Sequence, residues 1–282
     1  MAKTINLEKA VLTDLALAVN PIAFAHRLGF TKLDEWQKEL LLSTEPRICV
    51  NVARQLGKST ITGMLALHHA LNNPGALVLL LSPSQRQSSE LYKKVSNFYR
   101  DLGKPVPSEI ENLLSMELIN RSRVVSLPGK TGDTLRGFSA PSLIVVDEAA
   151  LVSNELYYGA VRPMLSVSRG RIVLLSTPHG KRGFFFSEWE KGEDWLRFKV
   201  TADQCPRITK EFLARERREL GERWFAQEYM CSFQESEAAL FRYDVIQRAI
   251  SDFDELDINL DDDEDEGSAS DLNSDDLNIV LD

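Results

Sequence analysis

Residues 47–60 read RICVNVARQLGKST. After Arg47, residues 48–52 are apolar but for Asn51 and show no regular polar alternation, the pattern of a strand buried on both faces. Gly57, Lys58 and Ser59 stand at its far end, and residues 59–71 carry a helical apolar pattern. Strand, glycine turn and helix in that order make a cradle for phosphate. Backbone N–H groups and the helix N-terminus face the anion, and a lysine neutralises it. The usual spacing G-x-x-x-x-G-K-[ST] asks for a first glycine at position 52, where this chain has Val52. The match therefore rests on the flanking strand and helix, and on a second element farther along.

That second element is residues 143–148, LIVVDE. Four apolar residues carry Asp147 and Glu148 to a strand end, where Asp147 can hold the water shell of Mg²⁺ and Glu148 can activate an attacking water. Lys58 would neutralise the β and γ phosphates of ATP, and Ser59 would hold Mg²⁺. Gln55, Gly57 and Thr60 complete the nucleotide-binding loop. Further strands are predicted over 76–81, 171–175 and 195–201, with a hairpin over 116–127. Helices are predicted over 83–102 and 155–165, and amphipathic helices over 209–231. Non-alternating strands separated by helices predict a mostly parallel sheet covered on both faces. Together with the phosphate loop and the acidic strand end, the fold class expected is α/β, a P-loop NTPase of the RecA-like kind. Loop 53–60, Ser82, Asp147–Glu148 and Ser176–Thr177 all fall at carboxyl ends of strands, where such sheets bind ligands.

The net charge of −9 conceals an asymmetry. Fourteen Asp and Glu residues lie in 251–282 with no Lys or Arg, and without them residues 1–250 carry +5. Three domains are expected: an N-terminal helical segment (1–45), the ATPase domain (46–245) and an acidic tail (246–282), too poor in apolar residues to fold alone. A mildly basic body suits a phosphate backbone only weakly. Residues 10–24 read as an amphipathic helix and not a signal peptide, and no apolar run is long enough for a membrane span. The expected location is the cytoplasm, with Cys49, Cys205 and Cys231 as buried free thiols. His68 and His69 are adjacent and point different ways on a helix, against shared ligation.

ARQLGKST, in which Arg54 and Gln55 precede Gly-Lys-Ser, resembles the phosphate loop of large terminase subunits, the motors that pump DNA into tailed-phage proheads. LDEWQ (33–37) resembles that family's adenine-recognition segment. LRGFSAPSLIVVDEAA (135–150) is similar to its arginine loop and hydrolysis strand, LLSTPHG (174–180) to its coupling motif, and WFAQEYMCSF (224–233) to the close of its ATPase domain. The likeness spans roughly residues 30–245. It implies that Gln37 reads adenine with Trp36 packed nearby, and that Ser176 and Thr177 sense the γ phosphate. It implies Arg136 as an arginine finger. Arg54 either contacts the γ phosphate or relays hydrolysis to motion, the bland alternative being an ion pair with a local carboxylate.

The implied cofactors are ATP and Mg²⁺. The implied partners are double-stranded DNA, a homo-oligomeric ring (a pentamer by family resemblance), a portal protein and a small terminase subunit, in a host cytoplasm. Full-length relatives continue into a metal-dependent nuclease. The chain after residue 250 is too short for one, which leaves an ATPase-only protein, a split gene or a shortened chain, with no nuclease activity expected. Two rival functions remain at this level: a helicase-like remodeller, and a regulatory protein that binds ATP without translocating.

Overall fold

The computed structural model describes residues 2–129, 135 and 137–235, with side chains from residue 11 onward. Eight strands form one sheet in the order β3-β4-β5-β2-β6-β7-β1-β8. They are β1 (Arg47–Val52), β2 (Leu77–Ser82), β3 (Ser108–Glu111), β4 (Ser115–Leu118), β5 (Arg123–Pro128), β6 (Leu143–Asp147), β7 (Arg171–Ser176) and β8 (Leu196–Val200). From β5 to β8 every neighbouring pair is parallel, and β3 and β4 add an antiparallel edge. The expected mostly parallel sheet is therefore present. The hairpin predicted over 116–127 is β4–β5, and β3 is a strand the sequence reading did not anticipate. Its pattern SEIE is polar and largely exposed, as suits an edge strand with little to bury.

The unbroken apolar runs are explained by the two covered faces. Alternate residues supply alternate cores. Val50, Val78, Val145 and Val173 point into one core, while Cys49, Leu79, Ile144 and Leu174 point into the other. Helices α3 (Glu35–Leu42), α4 (Lys58–Asn72) and α5 (Gln85–Asp101) contribute Leu40, Met64 and Leu91 to the first core. Helix α7 (Gly183–Glu190) contributes Phe184 and Phe185 to the second.

Two predicted helices prove to be interrupted. The amphipathic N-terminal segment is two helices, α1 (Ala2–Val19) and α2 (Pro21–Arg27), because Asn20 caps α2 through Ile22 N–H and Ala23 N–H and Pro21 occupies its first turn. The segment predicted over 155–165 begins as one helical turn, passes through a π-helical turn at Tyr157–Val161, and continues as α6 (Arg162–Ser168). Helix α8 (Lys210–Glu228) carries non-helical backbone at Gly221, with φ 77° and ψ 161°. All three cysteines are buried and free. Among the described residues no helix is long and apolar enough to cross a membrane. Contacts gather Met1–Ala239 into one compact unit, and the second unit, Leu240–Asp282, lies outside the described residues together with the acidic tail.

Candidate active site

The sheet delivers three chain segments to one edge: the loop after β1, Asp147–Glu148 at the end of β6 and Ser176–Thr177 at the end of β7. β1 ends at Val52, still in extended, fully buried strand, so position 52 has no need of a glycine. The turn comes later. Gln55 has φ 60° and Gly57 φ 88°, and Gly57 caps α4. A Cβ on Gly57 would sit 3.0 Å from Gln37 Nε2, so the glycine answers both to its left-handed backbone and to a close neighbour. Thr60 lies in the first turn of α4, its N–H donating to Gly57 O at 3.1 Å.

Lys58 is buried, and its Nζ donates to Thr177 Oγ1 at 3.0 Å and lies 3.8 Å from Glu148 Oε1. Thr177 Oγ1 donates in turn to Val52 O at 3.1 Å, which joins the ends of β1 and β7. Ser59 Oγ donates to Asp147 Oδ2 at 3.0 Å, and Asp147 Oδ1 accepts from Glu148 N–H at 3.2 Å. Ser176 Oγ donates to Thr177 O at 2.8 Å and accepts from Ala150 N–H at 3.1 Å, tying β7 to the turn behind Glu148. Glu148 itself has φ 52° and ψ 46°, a conformation costly for a side chain with a Cβ and of the kind retained at functional sites. Burial, reinforced by the neighbouring Glu148 charge, pushes the Asp147 carboxyl up to about 6, against the opposing pull of Lys58 and Ser59.

Gln37 is buried beneath the loop, its Nε2 donating to Leu56 O at 3.1 Å and its Oε1 accepting from Asp34 N–H at 3.1 Å. One N–H and one lone pair of its amide lie outside these two bonds. Trp36 does not reach the phosphate cleft. It is buried beside a different cleft with Leu33 and Arg197, and its indole N–H has no partner among the described residues. Arg54 reaches the cleft, and its guanidinium pairs with Glu228 at the end of α8. Arg136 lies outside the described residues.

The cleft over the loop measures about 490 Å³ and is shared by Gly57, Lys58, Ser59 and Glu148. A second cleft of about 640 Å³ adjoins it through Arg54 and Gln55 and is walled by Ile208, Phe212 and Tyr229. Two residues on the first cleft, Gln87 and Lys94, escaped the sequence reading. They lie inside a helix with no motif, and only the placement of α5 beside α4 brings them to the loop. Among the described residues no three His, Cys, Asp or Glu side chains gather to hold a metal. A hard divalent cation bound through one hydroxyl, one carboxylate and phosphate oxygens needs no such group.

The profile of the family described as "Terminase large subunit, T4likevirus-type, N-terminal" matches residues 49–248. The terminase large subunit of Thermus virus P23-45 is 26% identical over 190 residues, which is 60% of this chain and 39% of that protein. The chain thus spans about two fifths of the length of that relative. Among solved structures, the large terminase ATPase domain of Thermus phage P74-26 superposes with a TM-score of 0.66 at 22% identity, covering 74% of this chain and 97% of that one. The HK97 bacteriophage large terminase gives 0.63 at 14%, covering 77% and 55%. A large terminase from a thermophilic bacteriophage in complex with ATP-gamma-S gives 0.56 at 12%, covering 72% and 53%. At these identities the superpositions speak for the fold, and the profile over most of the chain speaks for descent: the chain belongs to the terminase large subunit family, in the region of its N-terminal part.

Proposed function

We propose that this chain binds and hydrolyses ATP at the edge formed by Lys58, Ser59, Asp147 and Glu148, as the motor of a double-stranded DNA packaging machine. The observation that carries it is the contact between Ser59 Oγ and Asp147 Oδ2, which brings the phosphate loop against the acidic strand end with Lys58 beside Glu148. The likeness to a large terminase solved with ATP-gamma-S, and membership of the terminase family, support the nucleotide and the packaging context.

The donor set fits a divalent cation. Asp147 is buried with its carboxyl pushed up although Lys58 opposes that shift; a hydroxyl beside a buried carboxylate short of counter-charge is an Mg²⁺ environment. Ser59 and Asp147 would hold Mg²⁺ there, and when bound it would supply positive charge against the phosphates. Lys58 would leave Thr177 for the phosphates. Freed of Lys58, the Thr177 hydroxyl keeps its bond to Val52 O, so the end of β7 registers whether phosphate is present, with Ser176 passing the change to the turn behind Glu148. Glu148, held in a left-handed conformation, orients a water and takes its proton. The water oxygen bonds to the γ phosphorus as the bridging oxygen departs with ADP. The cleft walled by Ile208, Phe212 and Tyr229 suits the base, with Gln37 bracing the loop below it.

Arg136, as an arginine finger in a ring of subunits, and contacts with a portal protein and a small terminase subunit enter this proposal through the family alone. Lys58→Ala is expected to weaken nucleotide binding, whereas Glu148→Gln keeps binding and lowers turnover by about 10²-fold or more. Steady-state ATPase assays beside equilibrium nucleotide binding separate the two. Near-normal hydrolysis by the Glu148→Gln protein would remove Glu148 as the base.

A further inference from the structure

Helix α5 forms the wall of the phosphate cleft that faces the loop. Its inner side is core, with Leu91, Val95 and Phe98 buried. Gln87 and Lys94 stand two turns apart, seven residues, on a shared side that lines the cleft together with Lys58 and Glu148.

The cations of this cleft differ in their commitments. Arg54 is held by Glu228, and Lys58 lies between Thr177 and Glu148. Lys94 is half-buried and pairs with no carboxylate among the described residues. An ammonium on a cleft wall without a counter-ion raises the local positive potential, and an anion entering the cleft gains from it. Gln87 is turned the complementary way. Its Oε1 accepts from Ser84 Oγ at 2.8 Å, which leaves the amide NH₂ as the end available to a phosphate oxygen.

Gln87 and Lys94 line the same cleft as Glu148, the group placed to activate the attacking water, so they share the space that the terminal phosphate would take. We propose that Lys94 of the same chain binds the terminal phosphate of ATP and, with Gln87, makes the site distinguish triphosphate from diphosphate. The inference rests on the nucleotide-site reading above. It assigns this part of the charge balance to a residue in cis, outside both sequence motifs.

The test compares the binding of ATP-gamma-S and ADP, with Mg²⁺, by the whole protein and its Lys94→Met, Lys94→Arg and Lys93→Met variants. Lys94→Met is expected to weaken ATP-gamma-S by about tenfold or more while ADP changes by less than about twofold, the scale of a lost charge-assisted contact. Lys94→Arg keeps the charge and is expected to keep the preference. Lys93 is exposed beside it, and Lys93→Met is expected to change neither affinity. A merely structural lysine would lower both affinities together, and that outcome overturns the inference. So does an unchanged ratio, a Lys94→Arg protein as impaired as Lys94→Met, or a Lys94→Met protein that loses DNA affinity and retains its nucleotide preference. If the parent protein binds neither nucleotide, or if Lys58→Ala leaves binding intact, the nucleotide-site reading itself fails and this inference falls with it. Intact parental binding that depends on Lys58 isolates the fate of Lys94.

Discussion

Gly57 shows how a single residue serves two constraints that the motif alone does not separate. Its φ of 88° is a backbone region where a Cβ costs about 1–2 kcal/mol, and the absent Cβ also makes room for Gln37 Nε2. Gly57→Ala is therefore expected to lower stability by about 1–2 kcal/mol and to weaken nucleotide binding. In a Gln37→Ala background the steric part should vanish and the backbone part should remain, a coupling of about 0.5 kcal/mol or more. Urea unfolding of the four proteins measures it, and strictly additive losses would show that Gln37 yields without cost. The missing glycine at position 52 has the converse explanation. Val52 is strand, buried and extended, and the left-handed turn is made by Gln55 and Gly57.

At the scale of the element, α4 is anchored at both ends. Its first turn carries Lys58 and Ser59, and toward its other end stand His68 and His69, whose rings diverge as helical neighbours should. His68 Nε2 meets Leu17 O at 3.1 Å, and His69 Nε2 meets Ser142 Oγ at 3.0 Å. Ser142 donates its one proton to Leu77 O, so His69 is the donor in their contact. Burial, with Arg171 and then His68 nearby, lowers the His69 ring to about 4, and burial lowers His68 as well. A histidine held below its ordinary value binds fewer protons folded than unfolded, so its contribution is complete above pH 6.5 and is lost as pH falls toward 4. Acidification from pH 7.5 to 5 should destabilise the parent, and His69→Gln should remove about 1–2 kcal/mol of that dependence, allowing for residual contact with solvent. Urea midpoints at the two pH values decide it, and parallel pH profiles would exclude His69 as the group responsible.

For the whole molecule the relevant quantity is charge. Residues 1–250 carry +5 and the remainder fourteen acidic groups. If the body binds DNA through its phosphates, those acids compete for the same basic surface. Deleting residues 252–282 is expected to leave basal ATPase activity unchanged and to tighten DNA binding several-fold at low salt, with the difference fading as the Debye length shrinks to about 8 Å near 0.15 M. Fluorescence anisotropy across a salt series measures it. Weaker binding by the shortened protein would show that the acidic stretch supports the DNA surface instead of screening it.

What the sequence determined is whatever local chemistry encodes. Non-alternating apolar runs required a sheet covered on both faces, because a strand with every residue apolar has no side to give to water. Glycine, lysine and serine after one such strand, and two acids after another, marked the edge where their side chains meet. Tertiary structure decided what no run of residues contains. It set the partner of Arg54, which is Glu228 from a helix end far along the chain, and it drew Gln37 under the loop while leaving Trp36 beside another cleft. It also brought Gln87 and Lys94 to the phosphate cleft. Their helical spacing is an ordinary solvated pattern until α5 packs beside α4, since a side chain's electrostatic role depends on which charges lie within a few ångströms, and the packing of helices on the sheet sets those distances.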